Sequence, residues 1–276
     1  MVAIKKMGRL LDTDAEGYVI NPCGWEHIQD PWLPLVTALQ QETVELLQDR
    51  LHSLYVRGSI PRGQGIPGVS DLDVIAVLQD EAAIGAELET LRRSLNRRFR
   101  LCTGVEILGI PLAGIQDPAN SLRAVLKTQT LWIAGIDLRP QLPPVKPGPD
   151  LISHAFTLER DISTVMMELR GMSAHDGGSE AFVRRRCGWI ARRLVRSGFE
   201  LVMEQEGSFT RDLYPCYEVF AKYFPEQQRS MRKALELAIQ PSSNREGLVV
   251  FLDLLGGWLV TEIERTFQDP SLKINT

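Results

Sequence analysis

The chain is poor in the residues that build disulfide frameworks and metal clips. Its four cysteines (Cys23, Cys102, Cys187, Cys216) and four histidines (His27, His52, His154, His175) are scattered, with no CxxC pair and no HExxH. That spacing excludes a zinc site and a disulfide scaffold, and reduced thiols in an intracellular protein are the expectation. Long hydrophobic runs are missing too: none approaches the ~20 apolar residues needed to span a bilayer. Near the N-terminus, Lys5 and Lys6 are followed by Gly8-Arg9, Asp12 and Asp14, where a secretory peptide needs an apolar core. The expected compartment is the cytoplasm, with no membrane partner. A basic surplus is also lacking. The formal net charge is −4, which argues against a general nucleic-acid binder and requires any basic site to be local. With 276 residues, 44% of them apolar, there is enough chain to bury one large core or two ordinary ones.

Periodicity divides the chain into unlike halves. Residues 1–32 read as an N-terminal extension, punctuated by Asn21-Pro22 and Asp30-Pro31. Leu35, Val36, Leu39, Val44, Leu47 and Leu51 recur at helical spacing, which predicts an amphipathic helix from Leu33 to His52. Leu54–Arg57 and Asp71–Leu78 read as strands on either side of a Gly/Pro-rich loop, Ala82–Arg98 as a helix and Val105–Ile110 as a strand. Five prolines between Pro140 and Pro149 predict an extended connector, because proline neither donates to a ladder nor continues a helix. Beyond it the pattern is helical: Leu151–Arg170, Glu180–Glu206, Arg211–Tyr223, Glu226–Ile239 and Asn244–Gln268, with a break at Gly177-Gly178 among others. The expected domains are thus a mixed α/β domain at 33–140, the connector at 141–150 and an all-helical domain at 151–276.

The loop and its second strand hold the chemistry. Gly58-Ser59 follows the apolar Leu54-Tyr55-Val56, and eleven residues separate Ser59 from Asp71. Asp71 and Asp73 open the run Val74-Ile75-Ala76-Val77. Two apart on a strand, their side chains share a face. Paired carboxylates on a rigid edge suit Mg²⁺, a hard cation that takes oxygen ligands together with substrate phosphates. Gly58 permits close approach of a phosphate, and the Ser59 hydroxyl with nearby N–H groups can bind its oxygens. Pro61 suits the first turn of a short helix starting there. Glu106, a lone acid in Val105-Glu106-Ile107, faces away from its two apolar neighbours.

Three other readings of short patterns fail on context. Gly63-Gln64-Gly65-Ile66-Pro67-Gly68 spells a dinucleotide fingerprint, yet it leads through Pro67 into a strand where that motif opens a helix. Gly58 to Gly63 has P-loop spacing but lacks the lysine and hydroxyl that must follow. Val2-Ala3-Ile4-Lys5 matches a kinase strand without the catalytic loop or metal-binding triplet downstream.

Together Gly58-Ser59, Arg62-Gly63 and Asp71-x-Asp73 resemble the signature of the DNA-polymerase-β-like nucleotidyltransferases. The layout is similar to that of the aminoglycoside (streptomycin/spectinomycin) adenylyltransferases. The resemblance implies an α+β fold, with a small mixed sheet and flanking helices followed by a helical bundle, and an acceptor bound between the two domains. It further implies a third carboxylate on a later strand, for which Glu106 is the best match and Asp117 and Asp137, both beside breakers, are the fallbacks. Two Mg²⁺ ions held by Asp71, Asp73 and Glu106, and ATP or another nucleoside triphosphate bound at Gly58, Ser59 and Arg62, are implied with it. The implied reaction moves a nucleoside monophosphate onto a hydroxyl of a small-molecule acceptor and releases pyrophosphate. Glu106 would then be either the base or a metal ligand. A protein- or RNA-directed transferase and a catalytically silent nucleotide-binding module are the alternatives.

In the helical half, Val183, Cys187, Ile190, Ala191 and Leu194 share one face, and Arg185, Arg186, Arg192, Arg193 and Arg196 the other. That basic face reads as a solvated surface or as a cationic wall against phosphate. Asp212 and Glu218 read as helix-start and helix-surface residues, or as partners for a cationic acceptor.

Overall fold

The computed structural model describes residues 4–80, 85–172 and 179–267. The chain divides into two compact units, Tyr18–Val145 and Met1–Gly17 with Lys146–Thr276. The predicted helix start at Ala82, the Gly177-Gly178 break and the helix end at Gln268 lie outside the described residues.

The first unit is built on a mixed four-stranded sheet, β1 (Leu51–Arg57), β2 (Leu72–Leu78), β3 (Val105–Pro111) and β4 (Thr130–Gly135), in the order β3-β2-β1-β4. β1 is antiparallel to both β2 and β4, while β2 and β3 are parallel. A parallel pair requires a crossover, and helix α2 (Gly85–Arg98) lies on it. Helix α1 (Leu33–Leu47) precedes β1, and α3 (Leu112–Gln116) and α4 (Leu122–Gln129) stand between β3 and β4.

Both faces of the central strands are covered, which explains their continuous apolar runs. Leu54, Val56, Leu72, Val74 and Ala76 pack against Leu35, Val36 and Leu39 of α1 and Leu88, Leu91 and Leu95 of α2. Tyr55, Ile75 and Val77 face the other way, onto Ile115, Leu126, Leu138 and Leu142. Each fully buried leucine contributes roughly 2 kcal/mol of burial. Arg50–Glu87 (2.9 Å) and the Arg98–Glu42 pair add ionic ties between α2 and the α1 segment.

Several boundaries differ from the sequence-based expectation. Helix α1 ends at Leu47 and not at His52. Gln48 has φ +47°, a 3-10 turn covers Gln48–Arg50, and Leu51 pairs with Leu78 as the start of β1. Strand pairing on both sides of β1 outweighs the helical spacing that Leu51 continues. β2 begins at Leu72, which leaves Asp71 just ahead of it. β4 was not anticipated: Thr130 both caps α4 and opens the strand, so no Gly or Pro marks the change.

The second unit is helical. It contains α5 (Leu158–Gly171), α6 (Ser179–Glu200), α7 (Met203–Glu206), α8 (Leu213–Tyr223), α9 (Gln228–Ile239), α10 (Arg245–Phe251) and α11 (Gly257–Phe267). A π-helical turn, Leu252–Gly256, joins the last two. Helix α5 starts seven residues later than the Leu151 expected. The N–H groups of Ser153, His154 and Ala155 donate instead to the buried Glu200 carboxylate (3.2, 2.9 and 2.7 Å), and 3-10 turns precede the helix. The apolar face of α6 is buried as its spacing predicts: Val183, Cys187, Ile190, Ala191 and Leu194. The N-terminal segment is tied to this unit through Leu11 N–H to Phe209 O (2.7 Å) and Thr210 Oγ1 to Arg9 O (2.8 Å).

Candidate active site

The site residues converge at one end of the first sheet. Parity sets their face: Asp73 alternates with Leu72 and Val74, which point to α1 and α2, so it lies on the opposite face with Ile75 and Val77. Asp73 pairs in register with Glu106 on one side and Arg57 on the other, and Arg57 in turn faces Thr130 on β4. One row of residues therefore crosses all four strands. Asp71, two positions earlier, is exposed at the strand entrance. Glu106 alternates with Val105 and Ile107, both packed on the α1/α2 side, as expected.

The turn between β1 and β2 is held by its own hydrogen bonds. Gly58 has φ +96°, in the left-handed region that favours glycine. Ser59 opens a three-residue 3-10 turn, Ile60–Arg62, which is the short helix anticipated at Pro61. Ser59 Oγ donates to Ser70 Oγ (2.9 Å), which also accepts from Ile66 N–H (2.9 Å), so the two ends of the loop are pinned together. Arg62 Nε donates to Gly58 O (3.1 Å) and turns that guanidinium back over the glycine. Behind the loop runs the segment before α1. Gly24 N–H donates to Pro61 O (3.0 Å), and Trp32 packs so tightly on Gly65 that a Cβ there would lie 2.6 Å from its Nε1.

Each carboxylate on the strands has an arginine beside it. Arg57 Nε is 3.3 Å from Asp73 Oδ2, with both side chains about one third exposed (29% and 34%). Arg92 Nη1, from the helix on the other face, reaches Glu106 Oε1 around the sheet edge at 3.2 Å, and Arg92 also holds Glu89. Oxygen donors on Asp71, Asp73 and Glu106 match the preference of a hard dication. Among the described residues no group of three or more acids, histidines or cysteines stands in a metal-holding arrangement. The arginines supply positive charge where a cation would.

Other candidates separate from this row. Asp137 forms a fork with Arg139 (2.8 to 3.1 Å) and accepts from Tyr55 Oη (3.4 Å). Asp117 Oδ1 accepts from Ala119 N–H in a surface turn (3.0 Å). Both fallback acids thus act as structural anchors. Burial pushes the Cys23 thiol up to about 12 despite Arg62 and Arg139 nearby. Burial and then Asp71 and Asp73 raise Cys102, against a backbone hydrogen bond at Gly104. Neither thiol is a nucleophile at neutral pH.

On α6 the arginines are engaged within their own unit. Arg193 Nε is 2.9 Å from Asp161 and its guanidinium stands 4.7 Å over Trp189, while Arg186 pairs with Glu168. Asp212 accepts from Arg9 N–H (3.1 Å), and Glu218 from Tyr214 Oη (3.3 Å). Arg57, Ser70 and Arg92 were not singled out from sequence. Arg57 was the most accessible of them, since it shares the parity of Tyr55 and the hairpin register sets it against Asp73.

A mixed four-stranded sheet with this glycine–serine turn, followed in sequence by a helical unit, makes an α+β fold. The fold is similar to that of spectinomycin adenyltransferase AAD(9) from Enterococcus faecialis, whose crystal structure was determined with ATP and spectinomycin. The TM-score is 0.50 at 14% identity, covering 84% of this chain and 99% of that chain. No protein-family model matches the chain, and no curated protein matches it in sequence. At this identity the likeness concerns the fold, and the chemistry rests on this chain's own side chains. No helix among the described residues is long and apolar enough to cross a membrane.

Proposed function

We propose that the protein is a nucleotidyltransferase that moves a nucleoside monophosphate, AMP when ATP is the donor, onto a hydroxyl of a small-molecule acceptor of aminoglycoside-like class. The observation that carries this reading is the register of Asp73 with Glu106, one strand from the pinned Gly58-Ser59 turn. The neighbouring fold, determined with ATP and spectinomycin, supports the choice of donor and acceptor class.

In this reading the Ser59 hydroxyl, the loop N–H groups and Arg62 bind the triphosphate. Asp71 and Asp73, with Glu106 beside them, would hold Mg²⁺, which when bound supplies Lewis-acid charge to the phosphoryl oxygens. The acceptor oxygen forms a bond to the α-phosphorus, the bond from that phosphorus to the bridging oxygen of the β-phosphate breaks, and pyrophosphate leaves with the electron pair. Glu106 takes the hydroxyl proton if it acts as the base. Positioning and charge compensation account for most of the catalysis in such transfers.

The test is incubation with each α-labelled nucleoside triphosphate, Mg²⁺ and a panel of aminoglycosides and hydroxylated metabolites, followed by mass analysis of adducts. A mass gain of one nucleoside monophosphate on a small molecule, with matching pyrophosphate, is the expected result. Label appearing on protein or RNA instead would redirect the acceptor class, and no pyrophosphate with any donor or acceptor would sink the reading.

A further inference from the structure

We infer that Arg57 is a positioning residue that holds Asp73 in the nucleotide-free protein and passes to the triphosphate when a divalent cation takes that carboxylate. The inference rests on the nucleotidyl-transfer reading of the same site.

Three features support it. First, the Arg57–Asp73 pair is set by strand register, at 3.3 Å, yet both partners are about one third exposed. Such a pair is weak and is readily replaced by a dication. Second, Arg57 ends a strand paired on both sides, and the very next residue is Gly58 of the turn that would bind phosphate. Its backbone is fixed, so only the guanidinium has to swing. Third, two neighbouring cations are held by other acids: Arg139 by Asp137, and Arg92 by Glu106 and Glu89 together. Arg57 lies against Asp73, an acid that the cation would claim, and adjoins the Gly58 turn, whereas Arg92 keeps Glu89 when Glu106 is claimed. A triphosphate brings several negative charges to a site already holding three carboxylates, and guanidinium matches carboxylate and phosphate equally well.

The test measures binding rather than turnover. Mn²⁺ is titrated by electron paramagnetic resonance into the wild-type chain, R57Q, R57K and D73N. An ATP analogue with a methylene between the α- and β-phosphorus is then titrated at saturating Mn²⁺. R57Q is expected to bind Mn²⁺ about fivefold more tightly and the analogue about tenfold more weakly. Opposite signs are what a merely structural arginine would not produce, because a damaged sheet weakens both. R57K keeps the charge but loses the fork, so its analogue affinity is expected to fall about threefold with Mn²⁺ binding near wild type. If R57Q loses its native circular dichroism, R57K carries the test, and unchanged analogue binding there overturns the inference. Mn²⁺ binding in R57Q no tighter than wild type also overturns it. A wild-type chain that binds no Mn²⁺, or D73N binding as well as wild type, would overturn the carboxylate reading itself and this inference with it.

Discussion

Asp73 on β2 and Glu106 on β3 are register partners in a parallel pair, so two carboxylates stand side by side at the sheet's end. Each is countered by an arginine from a different element, Arg57 from β1 and Arg92 from α2. This arrangement separates the charge proposed for chemistry from the packing that holds the fold. Asp73→Asn is therefore expected to lower transfer by about 10²–10³-fold. The lost ion pair is worth under ~1 kcal/mol, so the melting temperature should move by only a few degrees. Label transfer and circular-dichroism melting check both halves, and near-wild-type turnover would count against the assignment.

Glu106→Gln and Arg92→Ala probe the second acid. The first is expected to reduce kcat by about 10²-fold with nucleotide affinity retained, if Glu106 takes the proton. A parallel loss of Mn²⁺ affinity would identify it as a metal ligand instead. Arg92→Ala removes a group that orients Glu106 and Glu89 together. A severalfold fall in kcat is expected, with the melting temperature little changed.

The glycines of the loop should respond unequally to alanine. Gly68 has φ +77° with nothing near a new Cβ, so the cost is backbone strain alone, about 1 kcal/mol. Gly58 carries the same strain at φ +96° and should weaken nucleotide binding as well. At Gly65 the new methyl would meet the buried Trp32 indole at 2.6 and 2.8 Å. Overpacking of this kind costs about 1–3 kcal/mol, making Gly65→Ala the least stable of the three in urea titrations.

Acid should weaken the helical unit through His154. Burial pushes this imidazole down to about 4; the Glu200 carboxylate 3.1 Å away opposes that, while Arg211 and Arg196 add to it. A histidine lowered in the folded state binds fewer protons there than in the unfolded chain. Its contribution is therefore intact above pH 6.5 and is lost as pH falls from 6.5 towards 4, on the order of 3 kcal/mol in all. His154→Gln should flatten stability across that window, as measured by urea unfolding at pH 7 and pH 5. An unchanged slope would show that the imidazole does not set it.

Much of the architecture was legible because local spacing and tertiary burial agree. Leu35, Val36 and Leu39 advertise the buried face of α1, and Cys187, Ile190 and Leu194 that of α6. The candidate acids stand out for a similar reason: Asp71 and Asp73 open an apolar run two positions apart, the spacing at which strand side chains share a face. What escaped was decided by partners far along the chain. Leu51 continues the helical spacing of α1, and only its pairing with Leu78 makes it strand. Glu200 lies 45 to 47 residues from the backbone it caps, so nothing near Leu151 announces the later start of α5. Arg92 is 14 residues from Glu106 and on a helix covering the other face, so neither periodicity nor motif brings them together.

The alternation along β2 has a consequence for how the chain assembles. Leu72 and Val74 point into one apolar layer, and Asp73 stands between them facing the other way. If β2 paired one residue out of step, the aspartates would turn into the layer filled by the leucines of α1 and α2. Placing an unpaired carboxylate there costs several kcal/mol, comparable to much of the stability of a domain. The charges proposed for chemistry thereby also reject misaligned sheets during folding. A chain that has folded to a stable core has, by the same act, delivered its carboxylates to the correct side.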